Sequence, residues 1–308
     1  MQDLLSFLGS PSVHHSNDGT MLCMPNGKVG VIQNTLYSKI EAPATVSIAG
    51  GWDYDVFITV DGSVNGCGEN EYGQLGLGHA KYQYTSIPMN LPLPALKIVS
   101  GGEHTVILLC DGSVWGCGKS ENGELGLVTT YGQTLLLQLS LPLPAIDIGA
   151  GVYHTTILLS DGSVWSCGDN HKGQLGTDKI FASIKPIQMM FDHDTVVAVS
   201  CESERTAILC GDGSVWTCGS YQRVPTKIDL PFKVKSVTCG QDVFIFITET
   251  GEAYRSERPR HLNQVALPSP AQSVIVSGDV NIYILEDGCL YIRDYRSSRP
   301  IPLLVPDF

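Results

Sequence analysis

Apolar residues along this chain come in short runs that stop at the same kind of turn. His104-Thr-Val-Ile-Leu-Leu-Cys110 runs into Asp111-Gly112, and Ser113-Val-Trp-Gly-Cys117 leads out. Runs of this length, rich in β-branched and aromatic residues, read as strands, and an Asp-Gly pair between two of them reads as a tight hairpin. The pair predicts a type I′ turn, which needs positive φ at both central positions. The same hairpin recurs from Tyr54 to Cys67 and from His154 to Cys167. A second marker follows three hairpins: Gly73-Gln-Leu-Gly76, Gly123-Glu-Leu-Gly126 and Gly173-Gln-Leu-Gly176. A Pro-bearing segment and a further apolar strand come next, as at Ala95–Ser100, which ends on Gly101-Gly102.

The hairpins are copies of one unit. Asp61-Gly-Ser-Val-Asn-Gly-Cys-Gly68 is repeated from Asp111, from Asp161 and from Asp212, at intervals of 50, 50 and 51 residues. Weaker copies start at Asp18-Gly19, Thr250-Gly251 and Asp287-Gly288, the last two intervals shortening to 38 and 37. A unit of about 50 residues with four short strands has the size of a propeller blade. One blade cannot bury both faces of its sheet, whereas radial stacking buries them and ring closure covers the edges. The expected fold is all-β: a seven-bladed β-propeller forming one domain over residues 1–308, with strong repeats at about 45–220 and degenerate blades at about 10–44 and 221–295. The faint copies at both ends predict that N- and C-terminal strands complete one blade together.

Composition agrees with many short strands: 33 glycines, 17 prolines and 43% hydrophobic residues in 308. The net charge of −12, from 19 basic and 31 acidic residues, disfavours direct nucleic-acid binding, which needs clustered Lys and Arg. An acidic surface steers basic partners instead. Of ten cysteines, Cys67, Cys117, Cys167 and Cys218 recur at one repeat position, so each belongs to a separate blade. That disfavours disulfides, and spacing near 50 without Cys-x-x-Cys disfavours a metal site. The first residues, Met-Gln-Asp-Leu-Leu-Ser-Phe-Leu-Gly, lack the basic flank and apolar run of a secretory signal, no stretch is apolar enough to span a bilayer, and the last residues carry no prenylation cysteine. The chain therefore reads as cytoplasmic, in a reducing compartment, and as a monomer.

The pattern Gly-x-x-His-Thr…Asp-Gly-x-Val-Trp-x-x-Gly-x-x-x-x-Gly-Gln-Leu-Gly resembles the repeat of the regulator of chromosome condensation propellers. Gly101 to Gly126 and Gly151 to Gly176 match it almost throughout, while Gly50-Gly51-Trp52-Asp53-Tyr54 has tyrosine in place of histidine. The resemblance implies seven blades and, from the founding member, guanine-nucleotide exchange on the small GTPase Ran through one face of the ring. It implies a partner-binding set in the Gly-x-x-His loops: Trp52, Asp53, Tyr54, Glu103, His104, Tyr153 and His154. Glu202 and Glu204 follow Cys201, where the Gly-Gly is lost, and Asp242 and Asp279 occupy the loops of the degenerate blades. The later blades lack Gly-Gln-Leu-Gly and the histidine, the founder's basic tail has no counterpart, and no clear wedge hairpin is visible. Val128 to Pro142 is the longest departure between strong repeats and reads as outer strand. A compact acidic propeller also resembles versions that intracellular bacteria deliver into host cells to act on host GTPases, which would place it in host cytosol.

Each candidate has an architectural reading as well. His104 and His154 recur once per blade, as a half-buried ring bonding backbone between blades would. The glycine pairs are not phosphate loops, because no Gly-Lys-Ser/Thr followed by a helix is present. Trp115, Trp165 and Trp216 recur on one strand; this argues against a light-sensing tryptophan cluster like that of the related plant UV-B photoreceptor. Trp52 differs in sitting on a loop, where a large aromatic suits an interface anchor. No motif supplies a nucleophile with a base. No catalytic residue and no cofactor is expected. Two functions remain open: exchange on a Ran-like GTPase by differential binding, and a non-catalytic adaptor or scaffold that binds another protein through one face.

Overall fold

The computed structural model describes residues 12–16, 19–23, 29–33, 36–40, 44–192, 195–257, 261–277, 280–294 and 299–303. The Asp18 turn and Asp279 lie outside the described residues. Among the described residues every regular element is a strand, and the strands form seven four-stranded antiparallel sheets that follow one another along the chain. Each sheet is one blade, numbered here in chain order. Blade 3 shows the plan: Ala95–Ser100 is innermost, His104–Leu109 second, Val114–Gly118 third and Gln133–Gln138 outermost. Val128 to Pro142 thus contains that outermost strand.

The innermost strands touch in succession, and that of blade 7, Ala271–Ser277, also meets Ser12–Ser16 of blade 1. This contact closes the ring. Each sheet comes from one contiguous stretch, so no blade is shared between the two ends. The expectation of a composite blade was wrong because seven separate hairpin pairs already complete the circle by packing face to face.

Both faces of each blade are buried, which explains the unbroken apolar runs. His104–Leu109 is buried at every residue. Ile107 and Leu109 pack towards blade 2 with Val56, Ile58 and Leu75. Val106 and Leu108, on the opposite side of the same strand, pack towards blade 4 with Ile148, Ile157 and Leu159. At about 25 cal/mol per Å² of apolar area, these inter-blade layers are the main stabilising term.

The Asp-Gly turns differ in detail from the type I′ expectation. Gly62 has φ of +82°, but Asp61 is not among the non-glycine residues with positive φ. Gly62 N–H donates to Thr59 O, Thr59 N–H donates to Ser63 O, and Ser63 N–H donates to the Asp61 carboxylate. This is a tight turn closed by a left-handed glycine, the bulge form of the hairpin. The aspartate caps the turn with its side chain, and only the glycine needs the left-handed region. Gly112, Gly162 and Gly213 repeat it, with φ from +81° to +84°.

Candidate functional site

Among the described residues, the loops joining innermost to second strands in blades 2 to 6 emerge on one face, around a central channel of about 430 Å³. The connection leaving each third strand emerges there too: Glu69 N–H donates to Asp53 O, Lys119 N–H to Glu103 O, Asp169 N–H to Tyr153 O and Ser220 N–H to Glu204 O. The loops are also tied to one another. Trp52 N–H donates to Gly102 O, Gly102 N–H to Val152 O, and Val152 N–H to Ser203 O. A backbone chain therefore runs along the channel mouth from blade 2 to blade 5, and it fixes how the loop side chains are presented.

The expected partner-binding residues divide into two layers. Tyr54, His104 and His154 lie beneath the face, at most 1% exposed, and do not reach a partner. Each instead ties its blade to the next. Tyr54 Oη donates to His104 O at 2.6 Å. His104 Nε2 meets Thr155 Oγ1 at 3.1 Å, and His154 Nε2 meets Thr206 Oγ1 at 2.9 Å. Those threonines donate onward to Glu124 O and Gln174 O of the Gly-x-Leu-Gly elements, at 2.7 and 2.9 Å. A hydroxyl that donates elsewhere accepts from the histidine, so both rings carry their proton on Nε2. Burial depresses the imidazoles, to about 3 for His104 and about 4 for His154. They are neutral at pH 7.

The same carbonyls explain the recurrent cysteines. Cys117, Cys167 and Cys218 direct their thiols at Gln74 O, Glu124 O and Gln174 O, at 3.3, 3.4 and 3.5 Å. Burial pushes these thiols well above their ordinary range. They are weak donors within the inter-blade seam as well as filler.

The upper layer faces outward. Trp52 is 47% exposed and meets Tyr153 edge to face, ring centroids 6.0 Å apart. Asp53 is exposed beside it. Glu103 is half-buried and pairs with Lys119 at 2.6 Å, and Lys119 also sits 4.5 Å from the centroid of the Tyr72 ring. Glu69, from the third-strand connection of blade 2, has its carboxyl raised by burial and by the like charges of Asp53, Glu103 and Glu71. These carboxylates make one acidic sector over blades 2 and 3. Glu202 lines the channel, and burial raises its carboxyl to about 7. Glu204 is half-buried, and Asp242 is exposed and 3.5 Å from Arg205.

Arg205, Lys119, Glu69 and Glu71 were missed by sequence reasoning. Arg205 could have been found: Glu103-His104-Thr105, Tyr153-His154-Thr155 and Glu204-Arg205-Thr206 are one triplet, with arginine in the histidine place. Lys119 and the two glutamates sit in the variable third-strand connections, where no repeat position marks them. Among the described residues, no group of three His, Cys, Asp or Glu side chains is placed to hold a metal ion, and no helix is long and apolar enough to cross a membrane.

The chain was compared with known proteins. The family described as Regulator of chromosome condensation (RCC1) repeat matches residues 61–108, 111–158 and 161–209, and a second description of that repeat matches 96–124 and 145–174. Comparison with curated protein sequences gave no match. Among solved structures, human WBSCR16 superposes with a TM-score of 0.76 at 18% identity, over 88% of this chain and 85% of that one. Yeast RCC1 (Prp20), crystallised with Kap60, gives 0.72 at 17% identity over 84% and 76%. Prp20p from Saccharomyces cerevisiae, described with its binding to Gsp1p and histones, gives 0.70 at 18% identity over 84% and 78%.

Proposed function

Taking as premise that this chain is an all-β propeller of regulator of chromosome condensation repeats, we propose that it binds a Ran-like small GTPase through the channel-mouth face and promotes release of the bound nucleotide. The observation carrying this reading is the pairing of an aromatic couple, exposed Trp52 with half-buried Tyr153, and an acidic sector containing Asp53, Glu69, Glu71 and Glu103 on loops fixed by backbone hydrogen bonds. Aromatic anchors supply contact energy, and carboxylates select a basic partner surface. The mechanism is differential affinity. A face that holds the nucleotide-free GTPase more tightly than the loaded one shifts the population towards release, with no covalent step. The relevant compartment is the cytosol, including that of a host cell if the protein is delivered there.

The test is release of fluorescent GDP from a panel of Ran, Rap and Rab members. Acceleration of one member by about tenfold or more, roughly 1.4 kcal/mol off the release barrier, supports exchange and names the partner. Trp52→Ala with Asp53→Lys should remove that acceleration while the circular-dichroism spectrum stays unchanged. Silence across the panel overturns exchange and favours the adaptor reading. That second reading draws on one observation: the histidine tie ends with blade 4, and Arg205, Val243 and Val280 stand in the histidine place of blades 5 to 7.

A further inference from the structure

Blade 5 departs from its neighbours at one connection. In blades 2, 3 and 4 the third and outermost strands are joined by residues 69–82, 119–132 and 170–181. In blade 5, Val215–Gly219 and Gln222–Lys227 are joined by Ser220 and Tyr221 alone. Both have positive φ, +49° and +77°. A two-residue turn of this kind normally uses Asn-Gly or Asp-Gly, because a side chain there crowds the backbone. A bulky tyrosine in this region is strained, and such strain persists where the surroundings over-determine it.

The surroundings hold the ring outward. Tyr221 N–H donates to Lys172 O at 2.7 Å, Lys172 Nζ lies 4.0 Å from the ring centroid, and Nζ also donates to the phenol oxygen. Arg205 Nε donates to Ser220 Oγ at 2.8 Å and fixes the turn from below. Tyr221 nevertheless remains 75% exposed. Alongside, the Arg223 guanidinium lies 4.9 Å from the ring centroid of Phe181, itself 61% exposed. Among the described residues, Lys97 and Lys119 each have a carboxylate at 2.6 Å, whereas neither Lys172 nor Arg223 has one within 4.0 Å. In a chain of net charge −12, two cations stacked on exposed rings and lacking an ion partner stand out. The connection from which Ser220 leaves is on the channel-mouth face, so that face carries the acidic sector over blades 2 and 3 and, apart from it, two cation–ring pairs over blades 4 and 5.

We infer that Tyr221, Lys172 and Arg223, with Phe181 beside them, form a docking site for an acidic segment of a protein partner. The inference deepens the reading that this face meets a protein, and it rests on that reading. A carboxylate can take hydrogen bonds from a cation that a ring already holds in place. A nucleic-acid strand is the poorer fit. It needs a track of phosphate contacts, and here there are two cations held on rings, enough for one or two carboxylates.

Fluorescence anisotropy with fluorescein-labelled hexaglutamate at low salt tests the site in the full chain. The wild type should bind, and Lys172→Glu with Arg223→Glu should weaken binding at least tenfold. Tyr221→Gly should weaken it at least fivefold while the thermal midpoint holds or rises, because glycine occupies positive φ without strain. A merely structural tyrosine would lower the midpoint and leave binding alone. Failure of hexaglutamate to bind, or equal binding by the charge-reversed variant, overturns the inference. So does oligothymidine binding as tightly and being lost in the same variants. Hexaglutamate binding without GDP release on the panel sinks exchange only, and GDP release without hexaglutamate binding sinks this inference only.

Discussion

Acidification should loosen the seams that His104 and His154 close, and the size of the effect follows from their burial. Each ring is at most 1% exposed and donates from Nε2 to a threonine that has its own acceptor. Folded, they titrate near 3 and 4; unfolded, near the ordinary value of about 6.5. A depressed folded value means that the unfolded chain takes up protons first. The histidine contribution to stability is therefore unchanged above about pH 6.5 and is lost progressively as pH falls towards 3–4. At pH 5 the loss is about 2 kcal/mol per ring, about 4 kcal/mol together, a large share of a typical total of roughly 5–15 kcal/mol. The assay is urea unfolding followed by tryptophan fluorescence at pH 7 and pH 5, comparing the wild type with His154→Gln and with the His104→Gln, His154→Gln pair. The variants are less stable at pH 7, yet their loss between pH 7 and pH 5 should be smaller by about 2 and about 4 kcal/mol respectively. Carboxylates elsewhere titrate alike in all three proteins and cancel. Equal losses in wild type and double variant would refute the assignment of these rings as neutral inter-blade ties.

Three further substitutions probe the same seam. At Gly151 a Cβ would stand 2.2 Å from His154 Cε1 and 2.5 Å from Ser203 O, so Gly151→Ala should lower stability by about 1–3 kcal/mol, or more if the ring is expelled; an unchanged thermal midpoint would show that the loop is softer than its hydrogen bonds indicate. Thr155→Val keeps the shape but leaves His104 Nε2–H without its partner and Glu124 O with only the weak Cys167 thiol, and should cost about 1–3 kcal/mol in chemical unfolding. The matching Thr105→Val removes its bond to Gln74 O and its contact with the Tyr54 hydroxyl, and should cost less because the tyrosine keeps its bond to His104 O.

Most of the fold was legible because the repeat encodes contacts that every strong blade makes. The Asp-Gly pair recurs because it closes each blade's hairpin, and the histidine, the threonine after it, the cysteine and the Gly-x-Leu-Gly element recur because each closes part of the same seam. Two errors came from treating that signal as purely local. The Asp-Gly turn is set by a capping side chain and one left-handed glycine, a distinction that residue identity alone does not make. Closure without a shared blade depends on how the faint end repeats pack, and their sequences carry too little pattern to say.

The face obeys the opposite logic, which is why so little of its chemistry was readable. A residue that recurs per blade is recruited for architecture, and Tyr54, His104 and His154 are buried for that reason although they suggested a contact surface. What the face offers a partner is whatever breaks the repeat: Trp52 where blade 3 has Gly102, Glu202 where blade 4 has Gly151, and Tyr221 where blades 2 to 4 have a long connection. The second of these exchanges follows from geometry. Gly101 and Gly151 are required because the ring of the following histidine presses on them, with Cε1 2.1 and 2.2 Å from a would-be Cβ. In blade 5, Arg205 replaces the histidine, the ring is gone, and a glutamate can stand in the glycine place and line the channel. Restoring the ring should reverse that freedom. Arg205→His alone would set an imidazole against the Glu202 Cβ and lower stability, whereas Arg205→His with Glu202→Gly should recover most of the loss. Non-additivity of the two, read as a coupling free energy of about 1 kcal/mol or more from chemical unfolding, is the expected sign of direct contact. Additive effects would mean that the face acquired Glu202 independently of the seam beneath it.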